Sequence, residues 1–176
     1  MIDIDVKLKN TDEVLARLHP RAYKKALNRT INDMGDRFKT YTSREVRKRY
    51  NIKAQDVKKY MRVRRSRYAD MRYQMNVDSE RRNISNFGAR VLKKKGYMSV
   101  KVRKDKGRST LRNTFLAKNK KAVLHRVGNT QEVKAVQTVS IPQMFNKKIL
   151  DKASDKSKKE FGTKLSDNLS FYIGKE

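Results

Sequence analysis

The stretch SREVRKRYNIKAQDVKKYM, Ser43 to Met61, reads as two helices joined by a tight turn in a segment where every second or third residue is basic. That pattern raises the question of a DNA-reading helix-turn-helix. Such a motif needs a short first helix, polar base-contacting side chains near the start of the second, and a small helical core completing the domain. The residues on either side argue against it. Upstream, Tyr23, Leu27, Ile31, Met34, Phe38 and Tyr41 recur at intervals of three and four, the mark of one amphipathic helix of roughly twenty residues or more. Downstream the pattern turns to strand. The stretch therefore predicts the end of a long helix, a basic elbow at Arg49–Lys53, and a second short helix that packs back through Ile52 and Val57 and turns Gln55 and Lys58 outward. Gly35 lies inside the long helix at a cost on the order of 1 kcal/mol relative to alanine, so it marks a close packing contact or a slight kink.

Working outward, MIDIDVKL alternates Ile2, Ile4, Val6 and Leu8 with polar residues, as a half-buried strand does. TDEVLARL follows as a short helix with Thr11 or Asn10 as its cap, and Pro20 suits the first turn of the long helix. Beyond the elbow, MRVRRSRYADMRYQMNV places Met61, Val63, Ala69, Met71, Tyr73, Met75 and Val77 in one strand phase. Arg65 and Arg67 share that phase and cannot be buried with it, which predicts a break near residues 64–68 that turns both outward. ISNFGARVLKKKG holds a small apolar group around Phe87 and then a basic run, and YMSVKVRK is a strand. KDKGRSTLRN, near 104–113, has no periodicity and is expected to be a mobile arm. TFLAKNKKAVLHRVG predicts a hairpin turning at KNKK, and VKAVQTVSI a strand ending at Pro142. From Gln143 onward Phe145, Ile149, Ala153, Phe161, Leu165, Leu169 and Ile173 fall at steps of four, or of eight across the polar Ser157. That is a second long helix, containing Gly162.

The expected fold is α+β: long N-terminal and C-terminal helices packed on a central, strongly basic, antiparallel or mixed sheet with extended loops. One domain spans 1–176, with a strand and short helix in 1–20, the long helix and elbow in 21–60, basic strands in 61–142 and the last helix in 143–176. The two helices are expected to share a core through Leu27, Ile31, Met34, Phe38, Phe161, Leu165 and Leu169.

Only 36% of the 176 residues are apolar and 36% are charged, which allows a modest core and leaves segments that gain order against a partner. No cysteine is present, which excludes a disulfide framework and a thiol nucleophile. No apolar run approaches the roughly 18 residues needed to span a bilayer, and the N-terminus lacks the basic-then-apolar pattern of a signal peptide, so a soluble protein without a membrane role is expected. The net charge of +28 is concentrated: residues 37–128 hold 30 basic and 6 acidic side chains. Surfaces without a polyanionic partner mix both signs, so this excess predicts nucleic acid or acidic protein nearby.

Catalytic constellations are missing from the sequence. His19 and His125 stand far apart with no second histidine or cysteine at metal-ligand spacing. Asp78 and Glu80 are expected to neutralise Arg81 and Arg82 rather than to hold metal. DKGRST lacks the first glycine and the Lys-Ser/Thr ending of a phosphate-binding loop. No enzyme activity and no cofactor are expected.

KKALNRTINDMGDRFKTYTSREVRKRYNIKAQDVKKYM resembles the N-terminal signature of the minor tail protein Z family, tail-completion proteins of long-tailed bacteriophages. The Ala26-Leu27-Asn28-Arg29 segment opens the long helix, and Arg49-Tyr50-Asn51-Ile52-Lys53 forms the basic turn. Later blocks follow in the family's order: NFGARVLKKKGYMSVKVRKDKGR, TFLAKNKKAVLHRVG, and SIPQMF before the last helix, so the resemblance runs from about Ala22 to Phe171. Val91 after GAR, and YMSV in place of GVSV, depart from the pattern.

The resemblance implies a structural virion protein, assembled in the host cytoplasm, that completes the tail and helps connect it to the head at the neck around the DNA exit channel. The implied partners are a tail terminator and a head-tail connector, in a homo-oligomeric ring with a hexamer favoured, together with non-specific contact to genomic DNA. The alternative is a non-specific or helix-turn-helix-like DNA-binding protein. Candidate contacts to partner or DNA are Arg49, Lys53, Arg62, Arg64, Arg65, Arg67, Lys93, Lys94, Lys95, Lys104, Lys106 and Arg108.

Overall fold

A computed structural model describes residues 19–119, 121–128 and 130–174. The expected N-terminal strand and the short helix after it lie outside the described residues. Among the described residues two long helices, α1 (Pro20–Arg49) and α4 (Lys147–Ile173), and two short ones, α2 (Ala54–Lys58) and α3 (Ile141–Met144), accompany ten short strands. The strands are β1 (Met61–Arg64), β2 (Gln74–Val77), β3 (Arg81–Asn83), β4 (Arg90–Val91), β5 (Tyr97–Val100), β6 (Ser109–Arg112), β7 (Thr114–Leu116), β8 (Val123–Arg126), β9 (Val133–Ala135) and β10 (Gln137–Ser140). They pair as β1-β2, β3-β10, β4-β5-β6 and β7-β8-β9, so the class is α+β with small sheets instead of one central sheet. The described residues fall into two compact units, one within Met1–Thr42, Met61–Asn76 and Leu150–Glu176, the other within Ser43–Tyr60 and Val77–Ile149. No described helix is long and apolar enough to cross a membrane.

In the first unit α1 and α4 run antiparallel, because contacts that advance along one retreat along the other. Asn168 donates to Thr30 at 2.8 Å, Lys164 lies 3.9 Å from Asp33, and Glu160 accepts from Arg37 at 2.8 Å and from Tyr41. Between them Tyr23, Ala26, Leu165 and Leu169 form a buried cluster, flanked by Leu27, Phe161 and Tyr172. Hydrogen bonds from Tyr41 and then Arg37 hold the Glu160 carboxyl below the usual carboxylate range.

The buried stripe of α1 differs by a residue or so from the apolar reading. It runs Ala22, Ala26, Thr30, Met34, Phe38, Thr42, Val46, Tyr50, a step of four throughout. Thr30 and Thr42 belong to it because each hydroxyl bonds back to a carbonyl four residues earlier, at 2.8 Å, and so leaves no buried polar group unpaired. Leu27 and Ile31 are only half-buried. A step of four drifts by about 40° per step on a 3.6-residue helix, so no single face holds all eight. Residues through Thr42 serve the first unit; Val46 and Tyr50 serve the second.

Gly35 is the expected close packing contact. A Cβ added there would lie 2.3 Å from ring carbons of the buried Tyr73, whose hydroxyl donates to Asp36 at 2.9 Å. Burial, with that hydrogen bond, pushes the Tyr73 phenol well above its ordinary value. Gly35→Ala should therefore destabilise the protein: helix propensity contributes about 1 kcal/mol in its favour, while overpacking against a ring costs about 1–3 kcal/mol or more. Urea unfolding measures the difference, and a gain in stability would contradict this packing.

The last helix departs from expectation at its start. α3 and α4 are separate, with Pro142 in the first turn of α3 and the Ser140 amide donating to the Gln143 side chain at 3.0 Å. Asn146 then caps α4 by accepting from the Ile149 amide at 3.1 Å. Within α4 the polar Ser157 is buried, which completes the step of four from Ile149 through Ala153 to Leu165 and Leu169.

The second unit holds the β4-β5-β6 and β7-β8-β9 sheets, all paired antiparallel, and in it Phe87, Met98, Val100, Val123, Ile141 and Met144 are buried. The hairpin expected at KNKK is present, with Leu116 opposite Val123 and the Ala117 amide bonded to the Ala122 carbonyl at 2.8 Å. KDKGRSTLRN, expected to be irregular, carries β6, paired with β5 from Tyr97↔Arg112 to Val100↔Ser109. Asn83 joins elements that no short-range pattern connects. Its Oδ1 accepts from the amides of Ser85 and Val123, and its Nδ2 donates to the Val123 carbonyl at 3.0 Å. Val123 is fully buried, so Asn83→Ala leaves its N–H unpaired and should cost about 2–3 kcal/mol. An unchanged denaturation midpoint would show that water replaces the amide.

Candidate functional site

The sequence-predicted cations occupy three places. The first is the turn after β1. The strand ends at Arg64, and Arg67 and Asp70 close a small turn by exchanging backbone hydrogen bonds of 3.0 Å, so Arg62, Arg64, Arg65 and Arg67 are all exposed. The break expected near residues 64–68 is thus present. Ser66, between the arginines, is buried and anchored to α1: the Asn32 side chain pairs with both its amide (2.9 Å) and its carbonyl (3.1 Å), and its hydroxyl donates to Asn28 at 2.7 Å. Asn28 belongs to the Ala-Leu-Asn-Arg segment, which therefore works as an anchor for the basic turn. Part of the charge is engaged locally, Arg65 with Asp36, and Arg64 and Arg72 with Asp70 at 3.9 and 3.6 Å. Arg62 and Arg67 have no side-chain partner among the described residues.

The second place is the tip between β4 and β5. Lys93, Lys94 and Lys95 are exposed on a tight turn closed by Leu92 N–H to the Tyr97 carbonyl, 3.1 Å, with Gly96 at φ +78°. That φ favours glycine and places the lysines together at the sheet's end. Lys94 lies 4.8 Å from the Tyr97 ring centre, and exposed Arg112 sits across from Tyr97 in register. No carboxylate pairs with these four among the described residues.

The third place lies at the opposite end of the same sheet. The elbow and the turn after β5 meet through the Asn51 amide to the Val102 carbonyl (2.9 Å), the Tyr50↔Arg103 bridge and the Lys104 amide to the Arg49 carbonyl (2.8 Å). Arg49, Lys104 and Lys106 are thereby gathered, with Lys53 following at the start of α2. Arg103 pairs with Asp105 and holds that carboxyl below its ordinary range. Arg108 is exposed but engaged: it donates to Ser99 Oγ at 2.7 Å, to the Ser99 carbonyl and to the Gly88 carbonyl, which makes it a brace across the sheet.

Asp78 and Glu80, expected to neutralise Arg81 and Arg82, form no ion pair among the described residues. Arg82 instead lies 5.0 Å from the Tyr60 ring centre and donates to its hydroxyl at 2.6 Å. Among the described residues no cluster of His, Asp or Glu is arranged to hold a metal. A shallow depression of about 230 Å³ in the first unit is lined by Arg37, Lys159, Glu160, Thr163, Lys164 and Asp167, a mixed-charge surface without a nucleophile-base pair. Helix lengths of 30 residues for α1 and 5 for α2, followed by β1, do not match a helix-turn-helix.

Charge divides unequally between the units. The second holds 26 basic and 6 acidic residues, the first 20 and 12. Exposed Lys and Arg side chains of this kind suit diffuse contact with an anionic surface, and among the described residues no helix is placed to read base edges.

The chain matches the family described as prophage minor tail protein Z (GPZ) over residues 5–175. No curated protein and no solved structure matches it.

Proposed function

Because the chain belongs to the prophage minor tail protein Z family, whose members are structural proteins of the phage tail, we propose that it completes the tail and helps connect it to the head at the neck, around the channel through which DNA leaves. The match over nearly the whole chain carries this reading. Charge supports it: a bore that passes DNA favours phosphate contacts that slide over base contacts that hold, and exposed lysines on short turns provide the former. The protein works there as a homo-oligomeric ring, a hexamer matching a six-fold tail, against a tail terminator and a head-tail connector. Free subunits of charge +28 repel one another, so ring formation needs an acidic neighbour or DNA to proceed.

Deleting the coding sequence from an inducible prophage tests the role. The expected result is accumulation of filled heads and of tails that do not join, with infectivity restored by the intact chain in trans. Joined, infectious particles in the deletion strain would overturn it.

A further inference from the structure

An antiparallel sheet with one face on a core presents polar residues on the other. The β7-β8-β9 sheet departs from this on its outward face. Register puts Phe115, Leu124 and Ala135 in one row across the three strands, with Arg126 and Val133 in the next row of the same face. The reverse face carries Thr114 and Val123, which are buried. Phe115 is 37% and Val133 45% exposed, Ala135 is exposed and Leu124 half-buried, so water meets apolar side chains where polar ones belong.

We propose that this face docks an acidic protein, a tail component whose contact surface has an apolar centre ringed by Asp and Glu; the place where that partner is found rests on the tail reading. The rim decides the chemistry. Arg126 lies on the face, Lys118 and Lys121 are exposed at the β7-β8 turn that ends it, and the unit around it carries 26 basic residues against 6 acidic. A second copy would bring like charges together. Duplex DNA supplies phosphate and nothing that covers Leu124, Val133 and Ala135, and base stacking uses aromatic rings, of which this face has one, Phe115. An acidic protein surface satisfies both the apolar centre and the basic rim. Four side chains cover only part of the about 800 Å² that a partner contributes to a stable interface, so they form its core and the cations its rim.

A photo-reactive amino acid placed at Phe115, and separately at Val133, tests this in tails assembled in cells lacking the native copy, with exposed Thr110 on β6 as the control position. The expected result is one cross-link from both positions to another tail protein, within a segment rich in Asp and Glu, and none to it from Thr110. The double variant Phe115→Ser/Val133→Ser should keep the wild-type melting temperature and lower incorporation into tails at least about tenfold. Cross-links to this chain itself or to DNA, cross-links to a segment without acidic residues, no cross-link in tails that contain the chain, or full incorporation of the double variant would each overturn the proposal. Absence of the unsubstituted chain from purified tails contradicts the proposed function itself and removes the partner with it.

Discussion

Phe38→Ala should lower the stability of the first unit by about 3–5 kcal/mol, and Leu165→Ala by about 2–5 kcal/mol. Phe38 is 2% exposed in the middle of the buried stripe of α1, and Leu165 sits in the cluster where α4 meets α1. Truncation removes the transfer free energy of the lost carbons and leaves a cavity that two regular helices cannot close by sliding. Against a total stability of about 5–15 kcal/mol, either loss is a large fraction. Denaturant unfolding followed by helical circular dichroism measures it. Tyr68→Ala, at a side chain 61% exposed, serves as the control and should shift stability by no more than about 0.5 kcal/mol. If both core variants unfold with the wild type, α1 and α4 do not share a core.

Replacing Lys93, Lys94 and Lys95 together by glutamine should weaken binding to duplex DNA of any sequence and reduce the slope of log affinity against log salt by about 2.7, three phosphate contacts at about 0.9 each. These lysines have no carboxylate partner among the described residues, so the substitution removes charge without stranding a buried group. Lys94 loses its contact with the Tyr97 ring, worth about 0.5–1 kcal/mol at an exposed site, which the fold can spare. Fluorescence anisotropy over a salt series on two unrelated duplexes gives the slope. An unchanged slope would move DNA contact to the arginine turn or to the elbow. A preferred sequence that survives excess competitor would instead favour a regulator.

The long first helix was legible in the sequence because apolar side chains recur at three and four over Tyr23–Tyr41, and the break near Arg65 because two arginines shared the phase of buried residues. Thr30, Thr42 and Ser157 were not legible as buried: nothing local says that a threonine hydroxyl will bond to its own helix, or that a serine will be buried in the apolar stripe of another. β6 was missed because SerThrLeuArg has no hydrophobic alternation; its partner β5 supplies what its own residues do not. Among the candidate cations, exposure followed from charge for all but the half-buried Arg49, but engagement did not. Arg108 bracing Ser99 and Gly88, and Arg65 facing Asp36, depend on residues 9 to 29 positions away. The anchoring roles of Asn28, Asn32, Asn51 and Asn83 were not legible for a similar reason, since a side-chain amide that pairs with a distant residue, as Asn51 does with the Phe87 carbonyl at 3.1 Å, has no signature in its neighbours.

Cryo-electron microscopy of intact virions tests the central claim most directly. Density at the head-proximal end of the tail should accommodate this chain as a six-fold ring around the DNA channel, with the Lys93–Lys95 tip or the elbow turned toward DNA or toward an acidic neighbour. Purified infectious virions whose neck density is fully explained by other proteins, with this chain undetectable by mass spectrometry of the same particles, would contradict it.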